Sequence, residues 1–119
     1  MDKEIKEKWT TALRSGEYKQ GFDRLRRYDT CCCLGVLCEL AVNAGVIPPG
    51  KLHSDFTGVA YAYGESERVG LLPDEVLHWA SIENQTAVFN YGEQRGDLAH
   101  FNDTGLSFEE IATIIEENL

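Results

Sequence analysis

Four cysteines are the first residues whose chemistry and spacing call for an explanation. Residues 31–33 are all cysteine, and Cys38 follows five positions later. A thiol at the N-terminal end of a helix has a lowered pKa, and the backbone N–H groups there can stabilise an oxyanion. This pattern allows a small cysteine hydrolase with Cys32 as nucleophile and His100 as base. The enzyme is the third choice, because the local sequence typical of such a cysteine is absent.

The same stretch is better explained as a buried helix. Within residues 31–44 the only charged residue is Glu39, and Gly45 follows as a left-handed stop. Apolar side chains cover most of the helix circumference, yet the stretch is shorter than the roughly twenty residues that span a bilayer. We therefore predict a central helix enclosed by the rest of the domain, with Asp29 or Thr30 as its N-cap.

The cysteines do not form the spacing of a metal site or of a disulfide framework. Zinc sites use paired C-x2-C motifs, whereas here three adjacent cysteines precede one inside the same helix. Adjacent residues of a helix point in different directions, so the thiols cannot converge on one ion. We predict reduced, buried thiols that act as small apolar side chains, with no metal and no cofactor.

A basic segment directly ahead of the helix is the candidate ligand site. Arginine makes bidentate contacts with phosphate, a helix N-terminus attracts anions, and tyrosine can stack on a base. No P-loop and no G-x-G-x-x-G motif is present. The segment predicts capture of a small phosphorylated ligand such as a nucleotide. The candidate residues are Lys19, Gln20, Arg24, Arg26, Arg27 and Tyr28, with Tyr18, Tyr61 and Tyr63 as further stacking surfaces.

The charge distribution limits the partners. The net charge is -9; residues 1–50 carry eight basic and seven acidic side chains, and residues 51–119 carry three and thirteen. Such a field repels duplex nucleic acid and anionic membranes. The alternative to ligand capture is a protein–protein inhibitor whose carboxylate-rich surface, residues 65–117, imitates a polyanion towards a basic partner.

The remaining pattern predicts one α+β domain over residues 1–119, with about four helices around the cysteine-rich helix and a small antiparallel sheet or hairpin. Asp2 and Ser107 are N-caps, the latter in an S-x-x-E capping box, and proline starts a helix at Pro73. Nothing near the N-terminus reads as a signal peptide, so we expect a cytoplasmic protein.

The strands are predicted less sharply than the helices. Alternating aromatic residues indicate one short strand over residues 59–63. Residues 86–91 have strand propensity and could pair with residues 98–101 across a turn at 92–97. Residues 16–30 read as a short hairpin or an ordered loop that leads into the central helix.

Four sequence runs together resemble a family of small proteins encoded by tailed phages and prophages: LRSGEYKQG, CCLGVLCELAVNAGVI, LLPDEVLHWA and FNDTGLSFEEIATIIEENL. The family pattern has Gln-Gly, then Arg, then Cys-Cys-Leu-Gly-x-Leu-Cys, which fall on Gln20, Gly21, Arg26 and residues 32–38. The resemblance implies a phage origin without an established activity. It suggests an anti-defence factor in the host cytosol that binds a host defence protein or a nucleotide signal. Homo-oligomers remain an open alternative.

Overall fold

The computed structural model describes residues 1–55, 58–91 and 94–119, which form an α+β fold with five helices and three small sheets. This confirms the predicted class and adds one helix, α4, to the expected number. The helices are α1 (Lys3–Arg14), α2 (Cys33–Asn43), α3 (Asp74–Ala80), α4 (Leu98–Asp103) and α5 (Phe108–Asn118). The strands are β1 (Lys19–Gln20), β2 (Arg26–Arg27), β3 (Thr30–Cys31), β4 (Lys51–Asp55), β5 (Gly58–Ala62), β6 (Val88–Tyr91) and β7 (Gln94–Asp97).

The first and last helices begin at the predicted caps. Asp2 accepts a hydrogen bond from the backbone N–H of Ile5 at 2.9 Å. Ser107 accepts from the N–H of Glu110 at 3.2 Å, and its own N–H donates to the Glu110 carboxylate at 3.1 Å, which completes the capping box. These two helices pack against each other, and the fully buried Trp9 of α1 donates from its Nε1 to the carbonyl of Cys33 at 2.9 Å.

The central helix is buried as predicted, but it begins later than expected. Its N-cap is Cys32 rather than Asp29 or Thr30, because residues 30–31 pair as strand β3. All residues from 33 to 38 are buried, and α1, α3 and α4 surround the helix. Gly45 follows its end with φ of 77°, the left-handed conformation that the sequence indicated.

The segment before α2 forms a three-stranded sheet in the order β1-β3-β2, parallel for the first pair and antiparallel for the second. Its strands have two residues each, which is why the sequence showed no alternation. Gly21 lies against this sheet, and a Cβ there would lie 2.6 Å from the hydroxyl oxygen of Thr30. Only glycine fits this close approach.

Two antiparallel hairpins complete the fold. Strands β4 and β5 pair from Lys51–Ala62 to Asp55–Gly58, so the predicted strand over 59–63 exists but has a partner that the sequence did not reveal. Strand β6 pairs with β7. The predicted partner, residues 98–101, is wrong because these residues form α4, where Asp97 caps the helix by accepting from the N–H of His100 at 3.0 Å.

A buried asparagine, Asn102 of α4, links the segments around the N-terminal end of α2. Its Oδ1 accepts from Nε2 of Gln20 at 2.9 Å and from the N–H of Cys33 at 3.1 Å. Its Nδ2 donates to the carbonyl of Gly21 at 2.9 Å and to Asp103 Oδ1 at 3.1 Å. Every hydrogen-bonding position of the amide is used, which is what a fully buried polar side chain requires.

None of the helices in the described residues is long and apolar enough to cross a lipid bilayer.

Replacing Asn102 by alanine is predicted to lower the free energy of unfolding by about 3–5 kcal/mol. The change removes four hydrogen bonds and leaves the N–H of Cys33 and the carbonyl of Gly21 buried without their amide partner, at about 1–3 kcal/mol for each unsatisfied group. Urea unfolding measures the loss.

The control for this prediction is Asn43→Ala, because Asn43 is exposed at the end of α2. This variant should unfold within about 0.5 kcal/mol of the parent protein. A loss below about 1 kcal/mol for Asn102→Ala would show that the asparagine does not hold these segments together.

Candidate functional site

The predicted ligand site lies on the loops and short strands from residue 19 to residue 28, where the structure distributes its side chains over several neighbours. Gln20 turns into the protein: its Nε2 donates to Asn102 Oδ1 at 2.9 Å and to the carbonyl of Leu106 at 2.8 Å. Both N–H groups of the amide are thus used inside the fold. Gln20 therefore links β1 to Asn102 and to the carbonyl of Leu106.

Arg26 is likewise held by its surroundings. Its Nε donates to the carbonyl of Tyr28 at 2.9 Å, and its Nη1 lies 3.4 Å from the Glu39 carboxylate. The guanidinium stands 4.3 Å above the ring centroid of Tyr61, a cation–π contact. Glu39 also accepts from the hydroxyl of Tyr63 at 2.8 Å. Arg26 therefore anchors β2 to α2 and β5 through its Nε, its Nη1 and the face of its guanidinium.

The phenol of Tyr63 has a shifted pKa because of its burial and its contact with Glu39. Burial raises the pKa of Tyr63, and its hydrogen bond to the negative Glu39 raises the pKa further. The phenol stays protonated and serves as a donor to the carboxylate. Sequence reasoning missed Glu39 as the residue that brings Arg26 and Tyr63 together, because it is the one charge in an otherwise apolar helix.

The other four predicted residues differ in exposure: Lys19 and Tyr28 are exposed, whereas Arg24 and Arg27 are half-buried. Nη1 of Arg24 donates to the carbonyl of Asp23 at 3.0 Å, and Nη1 of Arg27 donates to the carbonyl of Val59 at 3.3 Å. Lys19 forms an exposed ion pair with Asp29 at 3.7 Å. Tyr28 is 67% exposed and has φ of 49°, a left-handed conformation that costs a non-glycine residue about 1 kcal/mol.

A further arginine, Arg68, lies in a segment that pairs with the segment of Arg24, and no sequence pattern indicated it. The N–H of Leu25 donates to the carbonyl of Val69 at 2.7 Å, which draws the two arginine-bearing segments together. The Nε of Arg68 is shielded from solvent and has no hydrogen-bond partner within the described residues.

The N-terminal end of α2 is closed to ligands. The N–H of Cys33 donates to Asn102, and the N–H of Cys32 donates to the carbonyl of Leu25 at 3.3 Å. A Cβ on Gly35, one turn along, would collide with the same carbonyl. We expected this helix end to attract an anion. That expectation is wrong for the N–H groups of Cys32 and Cys33, because acceptors of the protein itself already bind them.

The cysteines are buried, reduced thiols. Burial raises the pKa of Cys31 to about 12 and that of Cys32 to about 11, and it also raises the pKa of Cys33 and Cys38. The helix N-terminus therefore does not activate Cys32. A thiol rather than a thiolate is present near neutral pH, which removes the nucleophile of the third-choice enzyme.

His100 does not complete a catalytic pair with Cys32. Asn102 faces α2, and His100 lies two residues earlier on α4, about 200° around the helix, with its side chain exposed. Within the described residues, no group of three or more His, Cys, Asp or Glu side chains is arranged to hold a metal ion.

A groove between α1 and the C-terminal half of α2 is a second candidate site, and the sequence analysis did not identify it. Its volume is about 510 Å³. Ala12 and Leu40, both half-buried, supply apolar surface, and three carboxylates line the edges. These carboxylates belong to Glu4, Glu7 and Glu17, and Lys8 is the one cation among the residues that line the groove. We refer to this feature as the α1 groove.

The comparisons with known proteins give a family and no activity. A family model described as a domain of unknown function, DUF8296, matches residues 1–119. No curated protein and no solved structure matches the chain.

The native thiols are predicted to resist iodoacetamide at about pH 8. A pKa of about 11 for Cys32 leaves about one thiolate in a thousand at that pH, roughly a hundredfold less than an ordinary cysteine, and burial slows access further. Mass spectrometry of the intact protein counts the adducts, and urea should expose all four thiols.

The matched control is Ser66→Cys, which adds an exposed thiol. This thiol should react completely while the native four stay unmodified; rapid labelling of Cys32 in the folded parent protein would contradict the prediction. Folding also raises the pKa of Cys32 above its unfolded value. The contribution of this thiol to the free energy of unfolding is therefore complete below about pH 9 and decreases as the pH rises towards 11.

Proposed function

The chain belongs to the DUF8296 family of domains of unknown function, and we propose that it is a non-enzymatic binding protein for a basic partner protein. The observation that carries this proposal is the α1 groove, which combines apolar surface with unneutralised carboxylates in a chain of net charge -9. The partner surface that fits it is an amphipathic basic segment, with leucine-type side chains against Leu40 and lysine or arginine towards the carboxylates.

The carboxylates of the α1 groove are available for such a partner. Glu4, Glu7 and Glu17 form no ion pair within the described residues. By contrast, several carboxylates of the surface over residues 65–117 already have partners: Glu109 and Glu116 pair with Arg14, Glu67 pairs with Lys51, and Glu110 belongs to the capping box. We therefore place the docking site on α1 rather than on that surface.

The apolar part of the groove gives binding energy that charge alone does not. Ion pairs at an exposed rim contribute about 0–1 kcal/mol each and mainly increase the association rate and the specificity. Burial of Leu40 against an apolar side chain contributes about 25 cal/mol for each Å² removed from water. A basic peptide without apolar residues should therefore bind weakly, and an amphipathic one should bind better.

The lack of a reactive side chain among the buried residues described supports the non-enzymatic part of the proposal. The buried thiols have raised pKa values, His100 is remote from Cys32, and the polar atoms of Asn102 are all bonded within the fold. The resemblance to small phage proteins suggests a setting, in which the basic partner is a host defence protein that this chain inhibits in the host cytosol.

A lysine- and leucine-rich helical peptide is predicted to bind the parent protein, and Glu4→Gln/Glu7→Gln should weaken its affinity about tenfold. The double change removes two rim charges but leaves the groove shape unchanged. Isothermal titration at low and high salt measures both the affinity and its electrostatic part, which salt should reduce.

The matched control is Glu65→Gln/Glu83→Gln, which changes the net charge by the same amount at exposed positions outside the groove. If general charge attraction explains the binding, both double variants will weaken it equally, and the α1 groove is then not the site. Leu40→Lys should abolish the binding, because it places a like charge on the apolar surface.

A second candidate function is capture of a small phosphorylated ligand, with its site centred on Arg24 and Arg68. The observation that favours it is the unpartnered, shielded Nε of Arg68 beside the Arg24 loop, because buried charged donors normally have an acceptor. Gln20 and Arg26 are left out of this site, since both N–H groups of Gln20 bond within the fold and Arg26 pairs with Glu39. Tyr28 remains an exposed aromatic surface for stacking.

If this second function holds, nucleotides or cyclic nucleotides will raise the melting temperature of the parent protein, and Arg68→Gln will remove the rise. The control Arg95→Gln changes an exposed arginine on β7 and should keep it. Arg26→Ala is unsuitable, because it also removes the ion-pair partner of Glu39. A panel of nucleotides that leaves the melting temperature unchanged eliminates this candidate.

A further inference from the structure

Strand β4 is the edge of its sheet. In the described part of the chain it pairs with β5 and with no other strand, and the side chains of residues 51–54 are all exposed. Leu52 is 67% exposed, one of the most exposed large apolar side chains described. An open edge with an exposed leucine is a template for pairing with another strand.

The outward-facing backbone groups of this edge belong to Leu52 and Ser54. Asp55 pairs with Gly58, three positions later in the sequence, and an antiparallel pair at this separation exchanges both backbone hydrogen bonds. Bonding alternates along the strand, so residues 51, 53 and 55 bond towards β5. Residues 52 and 54 direct their N–H and C=O groups away from it.

The sequence of β4 is complementary to itself in the antiparallel sense. It reads Lys-Leu-His-Ser-Asp, with opposite charges at its two ends. An antiparallel copy centred on His53 places Lys51 of each strand opposite position 55 of the other; within one chain Lys51 forms a long, exposed ion pair with Glu67 at 3.9 Å, which contributes little to stability. The same register places Leu52 opposite Ser54 of the other strand, so the outward-facing backbone groups of both strands meet in hydrogen-bonded pairs.

We propose that a second copy of this chain binds at β4 and forms a two-fold symmetric dimer. The two hairpins then make one continuous antiparallel sheet in the order β5-β4-β4-β5. The two-fold axis passes by His53, and each contact occurs twice, as an isologous interface requires. This arrangement pairs the open edge of the β4–β5 hairpin and covers Leu52.

The dimer is weak, because the shared edge is only five residues long. Stable interfaces bury about 1,200–2,000 Å² in total, and a strand pair of this length buries less. Association is therefore expected at concentrations of about 0.1–1 mM, with monomers at about 10 μM. The α1 groove is lined by residues of α1, by two residues that follow it and by Leu40, and none of these belongs to β4.

Amide hydrogen exchange as a function of protein concentration tests the proposal, with sedimentation velocity on the same samples. The N–H groups of Leu52 and Ser54 should become protected as the sedimentation coefficient rises. The N–H of His53, which bonds to β5, should show the same protection at all concentrations and serves as the internal control. Unchanged exchange at Leu52 and Ser54 up to about 1 mM would overturn the proposal.

Ser54→Pro is the disrupting variant, because it removes an outward N–H while the bonds to β5 remain. It should stay monomeric with a melting temperature close to that of the parent protein. The matched control is Ser54→Ala, which keeps the N–H and should still dimerise. If Ser54→Pro does not fold, the exchange experiment on the parent protein decides between the outcomes. Dimerisation by a folded Ser54→Pro variant would contradict the proposed dimer.

Discussion

The arrangement depends on one buried amide, that of Asn102, which links the Gln20 loop, α2 and α4. Its two acceptor positions receive the N–H groups of Gln20 and Cys33, and its Nδ2 donates to Gly21 and Asp103. A helix N-terminus buried in apolar surroundings needs acceptors for its first N–H groups, and the flanking cysteines supply none of comparable strength. Asn102 meets this need for the N–H of Cys33 from a different helix, α4, and thereby ties α4 to the buried end of α2.

The same constraint explains why the predicted ligand site did not form as expected. The prediction relied on an anion-attracting helix end and on a glutamine and arginines placed before it. Once Asn102 and the carbonyl of Leu25 occupy the helix end, the glutamine is needed as a second bridge and Arg26 as the counter-ion of Glu39. The partners of Gln20 and Arg26 in the structure therefore belong to the protein itself.

Helix positions could be predicted because their signals are local. A cap such as Asp2 or Ser107 satisfies backbone groups within three residues, and the apolar periodicity of α1, α2 and α5 lies within single segments. The strands and the site depend on distant partners: β4 has no apolar alternation, and Asn102 acts through contacts 69 to 82 residues away. The α1 groove needs Leu40 beside α1, which no local pattern indicates.

The sequence runs that resemble small phage proteins contain residues that hold the fold together. Gln20, Gly21, Gly35 and Asn102 lie in those runs, and all of them take part in close contacts around the buried end of α2. A change at any of them would disturb the fold before it altered a surface. The partner binding that we propose therefore relies on residues outside these contacts, such as the carboxylates along α1 and the outer face of β4. For this reason the proposals for this chain concern its exposed surfaces rather than its cysteine-rich helix.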